Sequence, residues 1–311
     1  MAVYLVTGGA GFIGSNLVRA LVERGESVRV LDNFATGKRT NLTGLIDRIE
    51  LIDGDIRNLQ TVEQAVAGVD YVLHQAALGS VPRSVQDPLT SNEVNVAGTL
   101  NMLWAAKKAK VRRFVCASSS SVYGDTPVLP KEESMFPNPI SPYATSKLAA
   151  ERYALSFYRV YGLPTVVLRY FNVFGPQQDP QSQYAAVIPR FITALMNDQA
   201  PIVYGDGEQT RDFTYVANVV DSNLLACSSE TAPGHFMNIA CGGRYSLNTL
   251  LEQLGEIMNK NSKAVYENAR AGDVKHSMAA IADAQKYLNY VPQVSFKAGL
   301  EQTVQWYLEN R

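Results

Sequence analysis

The feature that most constrains this chain is a glycine-rich turn, Thr7-Gly8-Gly9-Ala10-Gly11-Phe12-Ile13-Gly14, set between an apolar run over 3–7 and a helical pattern over 12–24. Ile13, Leu17, Leu21 and Val22 fall on one face of that pattern. Glycines in such a turn take up backbone angles that other residues avoid, and they let a pyrophosphate approach the main chain closely. The helix that follows offers unpaired N–H groups and the positive end of its dipole to phosphate oxygens. Glycines also cluster in ordinary turns, so the strand before and the helix after give this pattern its meaning.

The rest of the first half agrees with a parallel α/β sheet. Runs over 3–7, 27–32, 49–52, 71–74, 113–118 and 165–170 read as strands. They are rich in Val, Ile and Leu rather than alternating, as strands covered on both faces should be. Long helical patterns over 90–110 and 142–161 lie between them. The texture changes after about residue 171, where 174–183 and 204–210 are rich in Gly, Pro, Gln and Asp and read as loops. Helical patterns over 247–258 and 296–309 follow, with short strands near 202–204 and 235–239. The predicted fold is therefore α/β: a Rossmann-type doubly wound parallel sheet over 1–171, with a smaller C-terminal α/β lobe over 172–311 covering its strand ends. Some later segments, such as the helical pattern over 216–227, could return to the first domain.

Composition narrows the function classes. With 311 residues, 46% hydrophobic and 18% charged, the chain can bury a sizeable core. A net charge of −1 argues against a general nucleic-acid binder or a membrane-surface protein. No run of about 18 apolar residues predicts a membrane span, and the N-terminus carries no signal-type pattern. Cys116, Cys227 and Cys241 are few and lack metal-ligand spacing, so a reduced, cytoplasmic setting without a metal site is expected.

Asp32 ends the second strand, near the offset of about 20 residues at which an acid meets adenosine ribose hydroxyls. A carboxylate there repels a 2′-phosphate, so NAD is expected rather than NADP. Asn33 and Gly37 continue the same loop, while Lys38 and Arg39 read as a solvated helix start. Asp55 and Ile56 follow the third strand and could meet adenine. Gln75-Ala76-Ala77 follow the fourth, where small residues would let a cofactor pass.

The stretch Ser141-Pro142-Tyr143-Ala144-Thr145-Ser146-Lys147 points to chemistry. Ser141 suits an N-cap and Pro142 the first helical position. Tyr143 and Lys147 then share one helix face at i, i+4. A phenol titrates near 10, so it serves as a base at neutral pH only where positive charge favours the phenolate. The serine run Ser118–Ser121 at the end of the fifth strand adds a group able to bond a substrate hydroxyl or relay its proton.

These motifs resemble the extended short-chain dehydrogenase/reductase family. The resemblance adds Asn95-Val96-Ala97-Gly98-Thr99, Tyr123-Gly124, Arg169-Tyr170-Phe171-Asn172 and Arg211-Asp212-Phe213, and covers essentially the whole chain. It implies Tyr143 as base, Lys147 as its tuner and ribose holder, and Ser119 as the group that orients or relays the proton. It implies further cofactor contacts at Asn95, Ser118, Tyr170, Asn172 and Val173. Within the family the likeness is to UDP-sugar 4-epimerases. Related dehydratases and decarboxylases carry an acid just before Val-Tyr-Gly, where this chain has Ser120-Ser121.

The resemblance places the substrate among Gly79, Ser80, Arg83, Ser119, Ser120, Tyr143, Asn172, Val187, Tyr204, Arg211, Arg270, Asp273 and Ser277, with His276 a further candidate. Small Ser277 at the gatekeeper position, and Gly79 where galactose-type enzymes carry lysine, suggest N-acetylated sugars. UDP-GlcNAc/UDP-GalNAc interconversion is expected first, with UDP-Glc/UDP-Gal also accepted. A UDP-glucuronate 4-epimerase, with Arg83 serving the carboxylate, is the alternative. A non-catalytic NAD-binding sensor or scaffold is the alternative of another class. The family implies a homodimer through the helices near 90–110 and 142–161.

Overall fold

The computed structural model describes residues 1–180, 186–268 and 275–310. The chain begins β1 (Val3–Thr7), α1 (Phe12–Glu23), β2 (Ser27–Asp32), β3 (Glu50–Asp53), α2 (Leu59–Val66) and β4 (Tyr71–His74). It continues through the short helices α3 (Val81–Gln86) and α4 (Pro88–Asn92) to α5 (Thr99–Ala109), β5 (Arg113–Ser119), α6 (Pro142–Tyr161) and β6 (Thr165–Tyr170). Then come β7 (Val173–Phe174), α7 (Val187–Met196), β8 (Ile202–Tyr204), β9 (Thr210–Arg211), β10 (Thr214–Tyr215) and α8 (Val216–Ser228). The remainder is β11 (Phe236–Ile239), β12 (Tyr245–Ser246), α9 (Leu247–Met258), β13 (Val265–Glu267), α10 (Ala282–Leu288) and α11 (Phe296–Glu309).

The main sheet has seven strands in the order β11-β6-β5-β4-β1-β2-β3, all paired in parallel. Chain direction across the sheet reverses between β1 and β4, which opens a crevice at their carboxyl ends, the switch point where such sheets hold ligands. One face is covered by α1 and α8, which bury Leu17, Leu21, Val219 and Leu224 against the sheet. The other is covered by α2, α5 and α6, through Val62, Val66, Met102, Leu103 and Leu155. Each fully buried Leu or Val contributes about 1.5–3 kcal/mol relative to exposure, so two such layers hold the sheet firmly.

The C-terminal lobe packs a separate aromatic core. Phe174, Phe191, Phe213, Tyr215 and Phe296 are buried together with Leu250, Leu254 and Leu300. Phe213 stacks on Phe296 at 5.2 Å, and Phe174 meets Phe296 edge-on at 5.7 Å.

Two expectations need correction. The pattern over 90–110 is not one helix. It is broken by a π-helical turn, Glu93–Gly98, between α4 and α5. A wide turn of this kind re-aims the side chains around it, and here the amide of Asn95 is turned onto the loop after β4. The strand expected near 235–239 in the C-terminal lobe belongs instead to the main sheet, as β11 beside β6. Three of its four residues are buried, it closes the β6 edge of the sheet, and α8 packs in the same core.

Candidate active site

The glycine turn forms a cradle that a side chain would fill. Gly8 has φ +68°, and a Cβ there would lie 2.8 Å from the Ala76 backbone. A Cβ on Gly14 would lie 2.0 Å from the Gly8 carbonyl oxygen. No side chain caps α1 at Gly11, and its first turn carries no acid. Its leading N–H groups are thus left for an anion. The Asp32 carboxylate accepts the Ala10 N–H at 2.9 Å and the Phe34 N–H at 2.8 Å, one on each oxygen. Each oxygen keeps a second lone pair for a ribose hydroxyl. Burial raises the Asp32 pKa, against the lowering effect of those two bonds.

One cavity of about 480 Å³ runs from this cradle across the switch point. Gly8, Gly11, Phe12, Ile13, Gly14, Asp32, Asn33, Gly37, Asp55, Ile56, Gln75, Ala76, Ala77, Ser118, Tyr143, Lys147 and Tyr170 line it, as does Gly79. Asn33 donates to Asp55 at 2.8 Å, and the Arg57 guanidinium forks onto the same carboxylate, holding its pKa down at about 2. The Tyr170 hydroxyl is tied to Gln75 and Asn223, leaving its ring to face the cleft.

Tyr143 and Lys147 stand on the first turns of α6, whose N-cap Ser141 accepts the Ala144 N–H. The Tyr143 N–H donates to the hydroxyl of buried Ser84 in α3 at 3.0 Å, so α3 helps set where this helix starts. A turn below Lys147, fully buried Glu151 pairs with fully buried Arg169 of β6 at 2.6 and 2.9 Å and accepts the Ser118 hydroxyl at 3.1 Å. This pair locks α6 to β5 and β6. Ser84 and Glu151 lay outside the expected site residues. Their importance comes from where the fold brings them, which periodicity does not reveal.

Several expected residues lie off the cavity wall. Asn95 is buried with its amide spent on the Leu78 backbone at 2.7 and 3.2 Å and on Ser146 at 2.9 Å. There it shapes the loop that lines the cleft. Asn172, at φ +35°, donates to the Asp212 carbonyl at 3.0 Å and reaches the Ser277 hydroxyl at 3.5 Å, while Val173 pairs with Thr214. Those bonds place both at the junction of the two regions. The Ser80 hydroxyl caps α3 by accepting the Arg83 N–H, and Arg83 makes no ion pair among the described residues. Val187 opens α7, which no side chain caps, and Tyr204 lies under Arg190 at 5.4 Å. Arg211 donates to the backbone carbonyls of Thr210 and Lys275, and His276 bonds Thr210 at 2.9 Å. Arg270 and Asp273 lie outside the described residues. Ser119 and Ser120 stand at the β5 end beside Ser118.

Lys38, read from sequence as solvated, forms an ion pair with Asp179 at 2.8 Å, and both line the cavity. Among the described residues no group of three or more His, Cys, Asp or Glu could hold a metal ion. No helix among them is long and apolar enough to cross a membrane.

The glycine cradle, the acid at the end of β2 and the Tyr–Lys pair in one cleft are the arrangement of a dinucleotide-dependent enzyme. The chain belongs to the NAD dependent epimerase/dehydratase family, which matches residues 4–240. It superposes on the UDP-N-acetylglucosamine 4-epimerase of Methanobrevibacter ruminantium, solved with UDP-N-acetylmuramic acid, with a TM-score of 0.95 and 39% identity over 100% of this chain and 99% of that one. The UDP-glucose 4-epimerase of Thermotoga maritima, solved with UDP-glucose, gives a TM-score of 0.94 and 36% identity over 99% of both chains. The UDP-N-acetyl-alpha-D-glucosaminuronate decarboxylase of Bacillus cytotoxicus is 34% identical over 98% of this chain and 97% of its own.

Proposed function

We propose that this enzyme interconverts UDP-sugars epimeric at C4, through a 4-keto intermediate, with NAD retained between cycles. The observation that carries the reading is the placement of Tyr143 and Lys147 in the cleft that Asp32 and the glycine cradle define. NAD, held along the glycine cradle and Asp32, would supply the reversible hydride acceptor. The protein handles the proton and the sugar. Tyr143 takes the O4 proton, Lys147 beside it stabilises the phenolate, and Ser119 bonds O4. With Ser120 and Ser121 before Val122-Tyr123-Gly124, no carboxylate stands where elimination would need one.

Release of the 4-keto sugar for its turn requires that the nucleotide stay clamped. Asn172, Val187, Tyr204 and Arg211, with Arg270 and Asp273, are the residues we assign to that clamp. Ser277 is small and buried beside Asn172, and we assign it to the side of the sugar site where an N-acetyl group would sit. UDP-GlcNAc/UDP-GalNAc is therefore the first substrate pair, with UDP-Glc/UDP-Gal also accepted. That Arg83 makes no ion pair among the described residues favours UDP-glucuronate as the second reading. A cytoplasmic homodimer through α5 and α6 goes with this reading.

The test is to incubate the purified protein, without added cofactor, with UDP-GlcNAc, UDP-Glc and UDP-glucuronate, and to analyse the nucleotide released on denaturation. UDP-GalNAc as the main product with NAD released is expected. NADP as the released species, or turnover of UDP-glucuronate alone, would overturn the first reading.

A further inference from the structure

The serines that close β5 do different work. Ser118 donates into the buried Glu151 carboxylate at 3.1 Å and is a structural anchor. Ser119 is the N-cap of a 3₁₀ turn, Ser120–Tyr123, and its hydroxyl oxygen accepts the Ser121 N–H at 3.2 Å. The Ser121 hydroxyl donates to the same oxygen at 2.9 Å. A serine hydroxyl has two lone pairs and one hydrogen. Ser121 fills both lone pairs, and among the described residues the Ser119 hydrogen has no acceptor.

We infer that Ser121 is a positioning residue that makes Ser119 an obligate hydrogen-bond donor to the substrate oxygen, so that the proton passes directly from that oxygen to Tyr143. The inference rests on the 4-epimerase reading above. A serine that relayed the proton would first have to accept the O4–H, and acceptance needs a vacant lone pair. Ser121 leaves none. In the oxidation half, the O4–H bond breaks and its proton goes to the Tyr143 phenolate oxygen. The C4–H bond breaks with its electron pair, the hydride going to the oxidised nicotinamide, and the C4–O4 double bond forms. The Ser119 O–H bond stays intact throughout, donating to an oxygen that is first hydroxyl and then carbonyl. In the return half the same proton comes back from Tyr143 to O4.

The two donors from Ser121 also withdraw charge from the Ser119 oxygen. Polarisation of this kind strengthens the hydrogen bond that Ser119 gives. Removing the Ser121 hydroxyl leaves the backbone N–H bond in place, so the turn persists while the donor weakens and gains a lone pair.

A double-mutant cycle on turnover of the UDP-sugar that the wild type epimerises tests this. Ser121→Ala should lower kcat about 3- to 10-fold, the size of one neutral hydrogen bond, with KM within about twofold. Ser121→Thr, which keeps a hydroxyl, should restore most of the rate. In a Ser119→Ala background the Ser121→Ala change should have no further effect, because the residue through which it acts is gone. An equal loss in both backgrounds, or no loss in the wild-type background, would overturn the inference and leave the epimerase reading standing. A wild type that epimerises no UDP-sugar would overturn both.

Discussion

Around the large cleft the backbone is held by a parallel sheet of seven strands, whereas the C-terminal lobe depends on strand pairs two or three residues long and a buried carboxylate. Beneath the cleft, the Ala76 N–H donates to Thr7, whose hydroxyl bonds His74 Nδ1 at 2.8 Å, and His74 Nε2 bonds Thr99 at 2.9 Å. The Thr99 hydroxyl is already donated to the Asn95 carbonyl at 2.7 Å, so it accepts from His74. This puts a proton on Nε2, burial favours the neutral ring by lowering the His74 pKa to about 3, and the chain of bonds links β1, β4 and α5 below the cleft.

In the lobe the corresponding post is Asp212. Its carboxylate accepts the N–H groups of Cys241 at 3.1 Å, Gly242 at 3.0 Å and Ala279 at 3.2 Å, and so pins the loop that carries Ser277. Burial pushes its pKa up to about 6 despite those bonds. On the proposed function, the contrast is a division of labour in which the sheet would fix the reacting atoms and the lobe would adapt to the sugar. Four changes can break or sharpen it.

Tyr143→Phe carries the largest expected effect, a loss of at least ~10² in kcat for removing a general base, with KM and bound NAD nearly unchanged. Steady-state kinetics with nucleotide analysis checks this, and near-normal turnover would mean that the base lies elsewhere. Ser277→Tyr should lower kcat/KM for UDP-GlcNAc about 5- to 150-fold while sparing UDP-Glc, since overpacking costs about 1–3 kcal/mol. Equal losses on both sugars would point to general damage.

Asp212→Asn replaces an all-acceptor group with one that has a single acceptor oxygen. It should raise KM about 10-fold, the cost of one buried donor left unsatisfied, with NAD content unchanged. Loss of NAD in that variant would show the two regions to be coupled rather than divided. The smallest effect concerns pH. Burial, with the nearby Lys147 charge, lowers the His74 pKa from 6.5 to about 3. Because the folded value lies below the unfolded one, the stability that neutral His74 contributes is complete above about 6.5 and is lost as pH falls towards 3. Thermal midpoints at pH 7.5, 6 and 5 should therefore fall further in the wild type than in His74→Gln. Parallel declines would contradict the buried neutral imidazole.

The cofactor half was the more legible in sequence, for a physical reason. Gly8 and Gln75 follow directly on strand ends and Asp32 and Ser118 lie at the ends of theirs, so once the strands are recognised their convergence at one sheet edge follows. The i, i+4 spacing likewise carries Tyr143 and Lys147 to one helix face. The lobe offers no such rule. Arg211 meets the carbonyl of Lys275, Asn172 meets Ser277, and Lys38 meets Asp179, all through contacts between segments far apart in the chain. Periodicity marked 235–239 as a strand but could not name its partner, and 90–110 as helical but not the π-turn that Asn95 needs.

The central claim, oxidation and reduction at the same carbon with no net redox change, is tested most directly by isotope retention. A UDP-hexosamine carrying deuterium at C4 is incubated with the enzyme in ordinary water, and the C4 epimer is analysed by NMR or mass spectrometry. The product should keep its deuterium, because the hydride removed from C4 is returned to C4 within the same cleft. Loss of the label to solvent would contradict it, and would mean that C4 is inverted by proton exchange rather than by hydride transfer.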